Sequence, residues 1–164
     1  MILQILIGCG RAGKSTYAQK LTETGYEHLS LDHMYCYGNY GTPQGEIDYF
    51  AFLDKLSGLV NVKPNVNFVL DGYLGVGGDP FFTYLRNRLK FHEIKATLIF
   101  ANYKLILERD VALGIKRLTK ERVTSIYHEY TNLFYFDEFV EGTGDNRCVK
   151  TDSEAMHIVM TNEE

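Results

Sequence analysis

Apolar and polar positions along the chain fall into two alternating patterns. ILQILI (2–7) is a nearly continuous apolar run, as expected of a strand buried on both faces. YEHLSL (26–31), VNFVL (66–70) and KATLIFA (95–101) repeat that pattern, and RCVK (147–150) is a weaker fifth candidate. Between them the spacing predicts helices over 14–24, 46–60, 80–91, 103–113 and 120–139, with a short helix over 153–160. Asp79 before Pro80 reads as an N-cap followed by proline at the first helical position, and Asp152 or Ser153 is the expected cap of the closing helix. Tyr127, Tyr130 and Phe134 recur at helical spacing and are read as core positions of the last long helix. Strands alternating with helices predict a three-layer α/β architecture with a mostly parallel five-stranded sheet. With no repeat, low-complexity stretch or proline-rich linker, residues 1–164 are expected to form a single domain. Ligands of such sheets bind beyond the carboxyl ends of the strands, so the residues just after each strand are where chemistry is sought.

Composition narrows the class. The chain is 45% hydrophobic and 23% charged, which fits a globular protein and not a disordered one. No apolar run approaches the ~20 residues of a membrane span. The run at 2–7 has neither a basic flank nor a small-residue cleavage site, so no leader is expected. Cys9, Cys36 and Cys148 lie far apart without metal-ligand spacing, pointing to a reducing compartment, and a cytoplasmic location is expected. The five histidines form no metal spacing either and are read as surface or core residues. The net charge of −4 hides an asymmetry: residues 86–122 hold ten of the 17 basic residues and only four acidic ones. That segment suits polyphosphate or nucleic acid, or else is a solvated helix surface.

The turn after the first strand carries the most specific signal. Gly8-Cys9-Gly10-Arg11-Ala12-Gly13-Lys14-Ser15 fits G-x-x-x-x-G-K-[ST] at every fixed position. Glycines allow successive backbone N–H groups to converge on an anion, and the helix opening at Lys14 adds its positive end. Nucleotide binding is therefore expected from Gly8, Gly10, Arg11, Ala12, Gly13, Lys14, Ser15 and Thr16, with ATP and Mg²⁺ as the implied cofactors. Lys14 is assigned to the β and γ phosphates and the Ser15 hydroxyl to the metal. Cys9 and Arg11 fill variable positions, and their side chains are given no chemistry. The fold expected is a P-loop NTPase or kinase fold with a short helical lid.

Two carboxylates stand at strand ends. Asp32 follows HLSL and Asp71 follows VNFVL. One can organise Mg²⁺ while the other takes the proton of an attacking hydroxyl. Asp32 is the candidate general base; Asp71 is the candidate for metal or acceptor binding. The alternative for each is that it caps the following turn. In YKLILERDVALGIKRLTKERV, Arg109, Lys116, Arg117 and Arg122 surround Gly114. A basic lid over about 109–120, with Arg109 and Arg117 as catalytic arginines, suits this pattern; a plain charged helix is the alternative.

These elements resemble the P-loop kinases of the polynucleotide 5′-hydroxyl kinase group and, more distantly, zeta-toxin-like kinases. The likeness rests on the phosphate loop, on LSLD, on FVLDGY and on ERDVALGIKRLTKERVTSIYHEY. It implies a base role for Asp32, a second strand-end carboxylate at Asp71 and lid roles for Arg109 and Arg117. It also implies an adenine-side loop near Thr151 and Asp152. One position departs: the arginine that the group carries three residues after its base is Tyr35 here, which argues against an ordinary polynucleotide 5′ end.

The acceptor is the open question. YCYGNYGTPQGE (35–46) sets Tyr35, Tyr37 and Tyr40 among glycines, where they can stack on bases or pack on their own domain. A second glycine-rich loop, DGYLGVGGDP, follows the third strand. The chain is similar to small phage kinases that phosphorylate 5-hydroxymethyluracil within DNA. That likeness implies a DNA acceptor and, for a phage protein, the host cytoplasm. Transfer to 5-hydroxymethyluracil in DNA or to a DNA 5′-hydroxyl is the favoured expectation, with Asp32, Tyr35, Asp71 and Arg86 binding the acceptor. A small-molecule, nucleoside or nucleoside monophosphate kinase, with an acceptor pocket built from Asp32, Arg86 and Arg88, is the alternative. A nucleotide-driven switch is the reading from another class.

Overall fold

The computed structural model describes residues 1–30, 43–71, 78–114 and 118–161. Six strands run in chain order: β1 (Ile2–Ile7), β2 (Glu27–Ser30), β3 (Phe68–Asp71), β4 (Glu93–Phe100), β5 (Glu138–Glu141) and β6 (Cys148–Val149). The helices among the described residues are α1 (Lys14–Thr22), α2 (Pro43–Asn61), α3 (Gly78–Arg88), α4 (Tyr103–Ala112), α5 (Lys120–Leu133) and α6 (Asp152–Met160).

The strands form one sheet in the order β2-β3-β1-β4-β5-β6. The first five are mutually parallel, and β6 returns antiparallel along β5. The central strands β1 and β3 are almost wholly buried, because a parallel sheet is covered by helices on both faces. α1 packs on β1–β3, α3 on β4 and α6 on β5. The result is the expected three-layer α/β architecture.

The sheet departs from the sequence reading at its far edge. The helix expected to reach residue 139 ends at Leu133, and a sixth strand, β5, follows. Phe134 is already extended (φ −124°, ψ 146°). From there burial alternates, with Phe134 buried and Tyr135 91% exposed. Asp137 locks the new strand to β4: its N–H donates to Ala96 O (2.8 Å), and its Oδ2 accepts from Ala96 N (2.8 Å). A free strand edge has captured a segment whose aromatics look helical as far as Phe134. Tyr127, Tyr130 and Phe134 do lie in the core, as expected.

Two helix starts are also corrected. α3 begins at Gly78, which puts Asp79 and Pro80 inside its first turn. α6 is capped by Thr151, not by Asp152 or Ser153. Its hydroxyl accepts from Glu154 N, while the Glu154 carboxylate accepts from Thr151 N, a reciprocal capping box.

Candidate nucleotide site

β1 ends at Ile7, and the chain leaves the sheet at Gly8. A Cβ there would stand 2.3 Å from the Ile99 carbonyl oxygen, so only glycine permits the turn. Gly13 closes the loop at φ 105°, a left-handed conformation, and caps α1 with no side-chain hydrogen bond to the helix N-terminus. The first turn of α1 carries no acidic residue. The amides and positive end of α1 thus remain available to an anion. The Lys14 ammonium donates to Gly8 O at 2.6 Å, laying its charge across the mouth of its own loop.

The loop forms one wall of a cleft of about 750 Å³. Gly10, Arg11, Gly13, Lys14, Ser15 and Thr16 line it, and Asp71 and Arg109 face them from β3 and α4. Two expected loop contacts are placed differently: Gly8 and Ala12 are buried beneath the loop and do not line the cleft.

Asp71 ends β3 and is 5% exposed. Among the described residues its Oδ2 accepts no hydrogen bond, although His28 Nε2 on the neighbouring strand lies 2.9 Å away. A buried carboxylate oxygen without a donor is costly unless a cation meets it. Together with the Ser15 hydroxyl, a hard oxygen donor on the same cleft, Asp71 fits a Mg²⁺ ion.

Arg109 is held by two backbone carbonyls. Nη1 donates to Arg11 O and Nη2 to Gly142 O, both at 2.9 Å. It therefore joins the phosphate loop to the turn after β5, and its charge meets only neutral acceptors in these two bonds. The next residue, Asp110, is buried; it accepts from Leu118 N (3.0 Å) and faces Arg11 Nε at 3.8 Å. The last turn of α4 thus grips the loop through both backbone and side chain.

Two contributors escaped the sequence reading. Gly142 follows β5 and touches the loop so closely that a Cβ on it would lie 1.8 Å from Ala12 O. A strand recognised at 138–141 would have flagged that glycine. Tyr127 is read correctly as core, yet its hydroxyl also accepts from Cys9 N (3.3 Å) and donates to Ile99 O (2.8 Å). No local pattern announces such a contact. Burial raises the Tyr127 phenol well above its usual range. Burial also pushes the Cys9 thiol up to about 11, against the opposing effect of Lys14.

Other expected residues lie elsewhere. Arg86 is not in the cleft; it stands exposed in the last turn of α3, its guanidinium 5.6 Å from the centre of the Phe82 ring. α3 starts at Gly78, and Arg86 stands at its other end. Arg88 is engaged with Asp54 at 2.7 Å and stacked over Tyr84. Thr151 and Asp152 do not line the cleft; β6 runs back antiparallel along β5, and it is Gly142, straight after β5, that touches the loop. Asp32, Tyr35, Tyr37, Tyr40, Lys116, Arg117 and the glycine loop at 72–77 lie outside the described residues.

No family model matches the chain, and no curated protein does. Solved structures do resemble it. A sugar kinase from Janibacter sp. HTCC2649 superposes with a TM-score of 0.57 at 12% identity, over 96% of this chain and 91% of that one. A gluconokinase from Sinorhizobium meliloti 1021 gives 0.55 at 12% identity, covering 95% and 87%. The shikimate kinase of Acinetobacter baumannii, in complex with shikimate, gives 0.53 at 16% identity, covering 86% and 83%. With the phosphate loop at the carboxyl end of β1 in a mostly parallel sheet, the chain has the three-layer α/β fold of the P-loop kinases.

Proposed function

We propose that the protein is an ATP- and Mg²⁺-dependent phosphotransferase that passes the γ-phosphate to an alcohol hydroxyl. One observation carries this reading: Lys14, Ser15, Asp71 and Arg109 meet in one cleft at the carboxyl end of the sheet. The loop amides and the α1 N-terminus bind the phosphates, and Lys14 swings from Gly8 O to the β and γ oxygens. Ser15 and Asp71 would hold Mg²⁺, whose charge offsets that of the triphosphate. Arg109 keeps the loop against the Gly142 turn, and Arg117 is assigned to closure over the transferring group. Asp32 is assigned as the base that takes the acceptor proton; in sequence it stands two residues after Ser30, the residue level with Asp71 in the β2–β3 ladder. Catalysis of this kind rests on positioning and on charge stabilisation.

For the acceptor, a nucleic-acid or nucleoside-type hydroxyl remains the favoured reading. 5-Hydroxymethyluracil in DNA is its sharpest form, supported by the strand-end carboxylates and by Tyr35 where an arginine would serve a 5′ end. A small hydroxylated molecule is the second reading, favoured by the sugar kinase, gluconokinase and shikimate-bound kinase among the structural neighbours. The test uses γ-labelled ATP with a duplex containing internal 5-hydroxymethyluracil, unmodified 5′-hydroxyl DNA, free nucleosides and sugar acids. Label on internal bases supports the first reading and label on a free small acceptor the second. ATP hydrolysis that no acceptor stimulates overturns both. Asp32→Asn should retain ATP binding and lose most transfer; full turnover removes its base role.

A further inference from the structure

The β1–β4 ladder stops at the pair Ile7–Leu98, while β4 continues beside β5 through Ile99 and Phe100. Where the two strands part, Cys9 has left the ladder and is buried beside Ile99 of β4. The Tyr127 hydroxyl fills the gap, accepting from Cys9 N at 3.3 Å and donating to Ile99 O at 2.8 Å. One oxygen thus satisfies both groups, and the phenol that carries it is fully buried on α5. The same Ile99 carbonyl is the atom against which Gly8 turns. On its other side Cys9 accepts from Ala12 N at 3.2 Å, the first bond inside the phosphate loop. The direction in which the loop leaves the sheet is therefore fixed at one residue held on both sides.

We propose that Tyr127 is a positioning residue for nucleotide binding, its hydroxyl being the tether that orients the phosphate loop through the Cys9 amide. Loop amides bind a triphosphate strongly only if they converge before it arrives, since ordering them on binding subtracts from affinity. The proposal rests on the phosphotransferase reading for its ligand, while the tether itself is a property of the protein without nucleotide.

Tyr127→Phe removes one oxygen and keeps the ring. The Mg·ATP dissociation constant and the KM for ATP should rise about tenfold, the effect of one lost hydrogen bond in a buried setting. kcat should stay within about threefold. In a C36S/C148S background, labelling of Cys9 by an aromatic disulfide reagent without nucleotide should accelerate about tenfold, as the loop opens more often, and saturating Mg·ATP should suppress it. A lowered melting temperature with unchanged ATP affinity and unchanged Cys9 labelling would make the hydroxyl a packing element only and overturn the proposal. Should Tyr127→Phe fail to fold, amide exchange on the wild type decides: Cys9 must be protected like β4, and exchange as fast as at Gly10 overturns the tether. A wild type that binds no Mg·ATP overturns the phosphotransferase reading and the role in nucleotide binding with it, whereas labelling and exchange still judge the tether.

Discussion

His28 Nε2 stands 2.9 Å from Asp71 Oδ2, yet among the described residues that oxygen accepts no hydrogen bond. The pair sits where β2 and β3 run side by side, with Asp71 buried and lining the phosphate-loop cleft. Asp71 is thus a carboxylate on the cleft wall, the kind of oxygen donor that a hard divalent cation takes. Asp71→Asn should raise the Mg²⁺ concentration for half-maximal transfer by about tenfold or more while leaving thermal stability within a few degrees. His28→Gln, which removes only the neighbour, should shift that concentration less. Mg²⁺ titrations of transfer in both variants check this; an unchanged curve for Asp71→Asn would take the metal role away from it.

Lys14 reaches Gly8 O at 2.6 Å, a bond that any arriving phosphate must replace. Lys14→Ala should cut transfer by about 10²-fold or more, as removing one preorganised donor does at other sites of charge development. Its effect on stability should be small, because the ammonium bonds across a partly exposed loop. Single-turnover kinetics beside a melting curve separate the two effects.

The legible parts of this protein are local in sequence. β1 to β4 are apolar runs that stop in the sequence at Gly8, Asp32, Asp71 and Asn102, and the phosphate loop is a contiguous motif whose glycines answer steric demands at Gly8 and Gly13. The illegible parts are made by partners far away in the chain. β5 is a strand because Asp137 finds the free edge of β4, whereas Tyr127, Tyr130 and Phe134 by themselves repeat like a helix. The charge of Arg86 marks it for phosphate, but only the course of α3 shows that it stands away from the cleft. Tyr127 meets Cys9 across 118 residues, and Gly142 meets Ala12 across a similar span. No periodicity carries that information.

Gly142 gives a steric test of how the turn after β5 supports the loop. A methyl group there would lie 1.8 Å from Ala12 O and 3.1 Å from the Ile99 side chain. Gly142→Ala should destabilise the fold by about 2 kcal/mol or more, the scale of forced overpacking, and weaken ATP binding further by displacing the loop. Gly58 is the contrast: it is exposed in α2, and a Cβ added there would meet nothing within 4 Å. Gly58→Ala should stabilise by about 0.5–1 kcal/mol through helix propensity alone. Denaturant midpoints of the two variants should move in opposite directions.

The Cys9 thiol supplies a pH signature. Burial raises it from an ordinary 9.0 to about 11, so between those values the unfolded chain loses its proton while the folded chain keeps it. The folded state then binds more protons, and the free energy of unfolding falls as pH rises. The stabilising effect of the neutral buried thiol is complete below pH 9 and is lost as pH climbs through 11. The full loss is about 2–3 kcal/mol at one pKa unit per ~1.4 kcal/mol. Lysines and tyrosines titrate in the same range, so the informative quantity is the difference between the wild type and Cys9→Ala, both under reducing conditions. Cys9→Ala should be less stable at pH 8, where it lacks the buried sulfur, and should lose less stability between pH 9 and 11. Parallel stability–pH curves for the two proteins would show that the thiol is not shielded as its place under the phosphate loop requires.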